Sequence, residues 1–176
     1  MLSKDKAKYS DLPARKLTDA SHAGDLADGS SIGYLVSEYP TRSHTFIRRE
    51  IEALRMHGVP VRVFSIRRPQ PASGESASYR AAFEETCYVL PVHAARLASA
   101  HARALLSSPI RYFRVLLLSL RHRVPGLRAM IWALFHFLEA ILLASELERR
   151  RVRHLHNHFA NSGANVGLLA SRFLEL

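Results

Sequence analysis

Apolar residues first gather at IGYLVS, residues 32–37, a run of strand length, and EYPTRS closes it because Pro40 cannot continue a ladder. From Thr45 to His57 the period changes to that of a helix. Phe46, Ile47, Ile51 and Leu54 recur at spacings of three and four, while Arg48, Arg49, Glu52 and Arg55 fall mostly elsewhere. Ser43 or Thr45 is placed to cap that helix, and Gly58 suits the left-handed position after its end. VPVRVFSI reads as a second strand, rich in β-branched residues. Strand, helix and strand in so short a stretch form a βαβ unit with a parallel pair.

RRPQPASGESAS, residues 67–78, is rich in Pro, Ser and Gly and reads as a mobile loop, after which CYVL makes a short third strand. Two long helical patterns follow at 93–121 and 127–150, separated by HRVPG, and read as a helical hairpin. RHLHNHF is again strand-like, ANSG is a turn rich in helix-capping types, and ANVGLLASRFLEL begins an amphipathic helix. The expected fold is α/β: a Rossmann-like parallel sheet with helices on both faces and an inserted helical hairpin. A doubly wound sheet continues beyond such a helix, so residues 31–176 read as a domain cut inside its fold. Residues 1–30 are polar and aperiodic, and they read as a flexible arm.

Composition sharpens this picture in two places. The chain has 176 residues, 48% of them hydrophobic, enough for one domain with a core. Its net charge is +10, from 25 Lys plus Arg against 15 Asp plus Glu, and it is unevenly spread: seven Arg and no acidic residue lie between Thr86 and Leu138. A one-signed stretch attracts nucleic acid, an anionic membrane or a phosphate-bearing molecule. No helix-turn-helix, zinc-finger or stacking motif accompanies it, so nucleic acid is not an expected partner. In RYFRVLLLSLRHR, basic residues alternate with Leu, Tyr and Phe as in surface-seeking helices. Arg103, Arg111, Arg114, Arg121, Arg123 and Arg128 are therefore the candidate contacts to an anionic membrane surface. The run 129–147 has the length of a span, but His136, Glu139, Ser145 and Glu146 interrupt it, and a buried or interfacial helix is expected. The N-terminus lacks the apolar segment of a secretory signal, and Cys87 is the single cysteine. A cytoplasmic protein, peripheral at the inner face of the cytoplasmic membrane, is the expectation.

Candidate chemistry collects where strands end. His154, His156 and His158 alternate and so share one face of a strand. No carboxylate or cysteine is near them in sequence, and one strand spaces its side chains too widely for three histidines to close on an ion, so no metal site is expected. His158, near the carboxyl end of its strand, stands where open α/β sheets bind ligands. Asn161 and Ser162 follow that strand and open a helix, where a dipole favours an anion and where capping alone explains the same residues. Ser43, His44 and Thr45 hold the equivalent place after the first strand, with Glu38 just before them as a pocket group or an exposed turn residue. No P-loop pattern, Ser/His/Asp set or Cys/His pair is present, and Cys87 falls in an apolar pattern that suits a core.

YLVSEYPTRSHTFIRREIEALRMHGVPVRVFSIRRP resembles the opening of bacterial family-4 glycosyltransferases of the exopolysaccharide and colanic-acid type, with their Pro-x-x-Ser-x-Thr-Phe-Ile junction and Arg-Glu-Ile helix. HLHNHFANSGANVGLLASRFLEL is similar to that family's His-x-His-x-His-Phe-Ala segment, and the two stretches cover about a third of the chain. The resemblance implies a type-B fold of two Rossmann-like domains, this being the N-terminal, acceptor-side one. By motif it carries over Pro40, Ser43, Thr45, Phe46, Arg49 and Glu50, then His156, His158, Phe159, Ala160 and Asn161. It implies a glycan or lipid-linked acceptor, no cofactor within this chain, and a nucleotide-sugar donor held by a C-terminal domain that this sequence lacks. Asn157 and Arg153 depart from the small and acidic residues common in that family. A fragment without the donor side is not expected to turn over. A non-catalytic module that binds a membrane surface or a partner is the alternative reading.

Overall fold

The computed structural model describes residues 29–70 and 76–176. Strands β1 (Ser31–Glu38), β2 (Val61–Arg67), β3 (Cys87–Tyr88) and β4 (Val152–Asn157) form one sheet in the order β3-β2-β1-β4 with every pair parallel. β3 is short, yet Val89 N–H and Leu90 N–H still donate to the Ser65 and Ile66 carbonyls, so the CYVL segment does run along β2. Around the sheet are α1 (Thr45–Met56), α2 (Ala77–Glu85), α3 (Ala94–Ser107), α4 (Pro109–Arg121), α5 (Leu127–Arg149) and α6 (Ser162–Leu174).

Alternation along the strands creates two cores. Leu35, Phe64 and Ile66 point into a core with Val115, Phe137, Ile141, Leu143, Val166 and Phe173, supplied by α4, α5 and α6. Tyr34, Val36 and Val63 point the other way, onto Ile47 and Ile51 of α1 and Ala82 of α2. Both faces of the sheet are thereby covered by helices, as a parallel sheet requires.

Three sequence expectations need correction. The pattern over 93–121 is two helices, because Ser108 leaves helical geometry and Pro109 restarts the chain as the first residue of α4; the hairpin is a three-helix insertion. Residues 76–78 belong to no loop: Ser76 accepts from the Tyr79 N–H and caps α2, while residues 71–75 lie outside the described residues. Neither Ser43 nor Thr45 caps α1. A 3-10 turn at Arg42–His44 leads in and makes His44 the cap position, with no side-chain bond. The expected arm, residues 1–30, lies outside the described residues apart from Gly29 and Ser30. Gly58, with φ +78°, takes the left-handed position expected of it.

α5 is the one helix among the described residues long and apolar enough to cross a membrane by length and composition. Its C-terminal half, Ala140 to Leu147, is the centre of the first core apart from Ser145 and Glu146, whereas Ile131, Trp132, Leu134 and Phe135 near its start are exposed.

Candidate functional site

Strand order places successive connections on opposite sides of β1: the chain leaves it toward β2 and β3 and later returns to its other edge as β4. Such a switch point opens a crevice beyond the carboxyl ends of the two strands. Here it lies between the ends of β1 and β4, and both motif-bearing segments converge on it, although more than a hundred residues separate them.

A register shift prepares the β4 side. Ser31 pairs with Val152 but Ile32 with His154, leaving Arg153 as an extra residue. Without that bulge Val152 and the alternating histidines would share a face. With it, Val152 and Leu155 pack on the first core while His156 turns to Tyr34, ring centroids 4.8 Å apart. His158, just past the strand, meets Tyr34 at 5.4 Å, His156 at 4.7 Å and Phe46 at 5.8 Å. His154 is exposed and outside this group, so the three alternating histidines act as two.

α1 supplies what the sequence around the histidines lacks. Glu50 projects back over β1: the Tyr34 hydroxyl donates to its Oε1 at 2.8 Å, and its Oε2 lies 3.4 Å from His158 Nε2. That nitrogen is nonetheless buried without a hydrogen bond. Burial lowers the His158 pKa; Glu50 opposes this and His156 adds to it. Tyr34 is raised well above the ordinary phenol range, first by burial and then by its bond to Glu50. His44 is also lowered chiefly by burial, with Glu38 opposing.

The β1–α1 loop that carries His44 is held at fixed points. Tyr39 N–H donates to the buried Ser65 Oγ at 2.9 Å, and the Tyr79 hydroxyl of α2 donates to the Pro40 carbonyl at 2.9 Å. His44 then stacks near Tyr39 and touches Phe159, centroids 5.3 Å apart. The helix missed in sequence thus braces the crevice.

α6 is fastened to the end of β1 more closely than a side chain would allow. The Gly163 N–H donates to Ser37 Oγ at 3.2 Å and to Asn161 Oδ1 at 3.0 Å, and the Ser37 hydroxyl donates to Asn161 Oδ1 at 2.6 Å. A Cβ at Gly163 would lie 2.5 Å from Ser37 Oγ, and one at Gly167 would lie 2.8 Å from Leu35 Cδ2. Asn161 is therefore the cap of α6, and the Gly163 N–H that an anion would need is already occupied.

Of the residues singled out in sequence, His44, His156, His158, Asn161 and Ser162 meet at the crevice. Glu38 is exposed at the end of β1, Ser43 and Thr45 are exposed beside His44, and Arg49 is exposed on α1. Tyr34 and Ser37 were not singled out, and Glu50 was noted only through the resemblance. The four-residue spacing of Gly163 and Gly167 was the available sign that α6 lies hard against β1.

The candidate membrane arginines divide. Arg103, Arg114, Arg121 and Arg128 are exposed, whereas Arg111 donates to Ser108 Oγ and to the Phe173 carbonyl, and Arg123 to the carbonyls of Val124 and Gly126. Ile110, Phe113 and Leu117 stand exposed on the same stripe of α4 as Arg114 and Arg121; Leu127, Ile131, Trp132 and Phe135 do so on α5 beside Arg128. Between α4, α5 and α6 a cavity of 370 Å³ is lined mainly by apolar groups, among them Leu118, Trp132 and Leu168, with His122 and His136 at its wall.

Fold and site together define an α/β parallel-sheet protein with a histidine-lined crevice at its switch point. No family model, curated protein or solved structure matches the chain.

Proposed function

We propose that this domain is the acceptor-binding side of a sugar-nucleotide-dependent glycosyltransferase that works at a membrane surface on a glycan or lipid-linked acceptor of cell-surface polysaccharide. What supports this reading is the convergence of its two motif segments on one crevice: Phe46 and Glu50 from the first, His156, His158, Phe159 and Asn161 from the second. Aromatic faces and paired hydrogen-bonding groups suit a sugar ring, which presents apolar C–H faces and a rim of hydroxyls. In this reading the nucleotide sugar is held by a second Rossmann-like domain facing the crevice, and an acceptor hydroxyl attacks the anomeric carbon as the nucleoside diphosphate leaves.

The Arg-studded apolar stripes of α4 and α5 favour membrane docking, because exposed apolar surface beside uncompensated cations is stabilised by anionic lipid. The same stripes support the second reading, a membrane-surface module without chemistry. Titrating isotope-labelled protein with a short-chain prenyl-phosphate-linked sugar separates the two. Amide shifts around His44, His158 and Asn161 are expected from the sugar-bearing compound and not from prenyl phosphate alone. If the crevice amides respond to neither compound, while anionic vesicles still bind, the acceptor reading falls and the module reading takes its place.

A further inference from the structure

We infer that Glu50, His156 and His158 form a binding site for a divalent transition metal of the zinc class, with one coordination position open to the switch-point crevice. One ligand atom from each of the three lies within 4.8 Å of the others, a grouping that comes from two elements, α1 and the end of β4. Tetrahedral zinc with bonds of about 2.0–2.1 Å sets its ligand atoms roughly 3.3 Å apart. His158 Nε2 and Glu50 Oε2 are already 3.4 Å apart, and turning the His156 ring brings in the third.

Three features favour an ion over a simple His–Glu contact. His158 Nε2 is buried yet has no hydrogen bond, so the carboxylate beside it does not satisfy it, and a metal in line with the ring nitrogen does. The Tyr34 hydroxyl binds Glu50 Oε1 and leaves Oε2 turned to the histidines, the outer-shell arrangement that orients a ligating carboxylate. The Glu50 side chain is 43% exposed, which gives an ion its way in and leaves room for a fourth ligand, a water or an oxygen of a bound molecule. Two imidazoles with one carboxylate select zinc, cobalt or nickel over magnesium or calcium, which prefer all-oxygen shells. An ion here ties α1 to β4 across β1 and adds a positive charge to the crevice floor.

The inference is independent of sugar transfer, because its readout is bound metal. Chelator-treated protein is titrated with Co2+ while the visible d–d absorption is followed, and Zn2+ is then added as competitor. One equivalent of four-coordinate Co2+, displaced by Zn2+, is expected. His158→Ala and Glu50→Gln should abolish the bands, Tyr34→Phe should weaken binding by about 10-fold, and His154→Ala should change nothing; circular dichroism confirms that each variant is folded. Wild-type protein that takes up neither ion overturns the site. So does uptake that survives Glu50→Gln and His158→Ala, or that His154→Ala removes equally.

Discussion

Gly163→Ala tests the fastening that sets the width of the crevice. The added Cβ falls 2.5 Å from Ser37 Oγ, 3.3 Å from Asn161 Oδ1 and 3.4 Å from Ser37 Cα. The serine hydroxyl must rotate away, and in doing so it gives up its bonds to Asn161 Oδ1 and from the Gly163 N–H. Each such bond contributes about 0.5–1.5 kcal/mol, and residual crowding in a packed contact costs about 1–3 kcal/mol. Alanine gains at most about 1 kcal/mol over glycine in helix propensity, and less in a first turn. Crowding and lost bonds win, so a net loss of at least about 1 kcal/mol is expected, a few degrees or more in Tm for a domain of this size. Urea unfolding followed by circular dichroism measures it, together with Ser37→Ala and the double variant. Ser37→Ala removes the atom that the new methyl meets, so the double variant should be more stable than the sum of the singles by at least about 0.5 kcal/mol. A Gly163→Ala protein as stable as wild type, or strictly additive singles, would refute the close approach of α6 to β1.

Glu146 is 5% exposed in the core end of α5, where Arg96, Arg149 and Arg150 surround its carboxylate and the Cys87 thiol donates to it at 3.7 Å. Burial alone would raise its pKa, but bonds from Arg149 and Arg96 outweigh it and hold it below the ordinary 4.5. A depressed folded-state value means that the unfolded chain binds the proton first. Its stabilisation is therefore complete above about pH 4.5 and disappears as pH falls through the folded value, and Glu146→Gln should flatten the stability–pH slope of acid unfolding there. Ser119 Oγ donates to the Ala133 carbonyl at 2.7 Å across the buried α4–α5 contact, so Ser119→Ala should cost about 1 kcal/mol in the same urea assay, whereas an exposed serine changed alike should cost nearly nothing. Phe113→Ser with Trp132→Ser should weaken binding to anionic vesicles by about 10–100-fold, with circular dichroism confirming that the variant, which gives up the buried half of each ring, is still folded. Equal sedimentation of this variant and wild type would remove these stripes from the membrane contact.

Local pattern sufficed for much of the fold. The change from period two to period three-and-a-half at Thr45, the β-branched run before Arg67 and the cap at Asn161 each depend on neighbours a few residues away, and the structure has β1, α1, β2 and α6 there. The break at Pro109 and the helix capped by Ser76 were equally local, but the surrounding run of helix formers hid one and the loop-like composition hid the other. The crevice was legible only as a location, the carboxyl ends of β1 and β4. Its content was decided by contacts between residues far apart in the chain. A one-residue bulge at Arg153 turned the alternating histidines onto the Tyr34 face of the sheet, and the packing of α1 brought Glu50 to a strand whose own sequence has no carboxylate. Strand order and register follow from how two cores are filled at once, a condition on the whole domain, so periodicity within one segment determined the elements while only their packing determined the site.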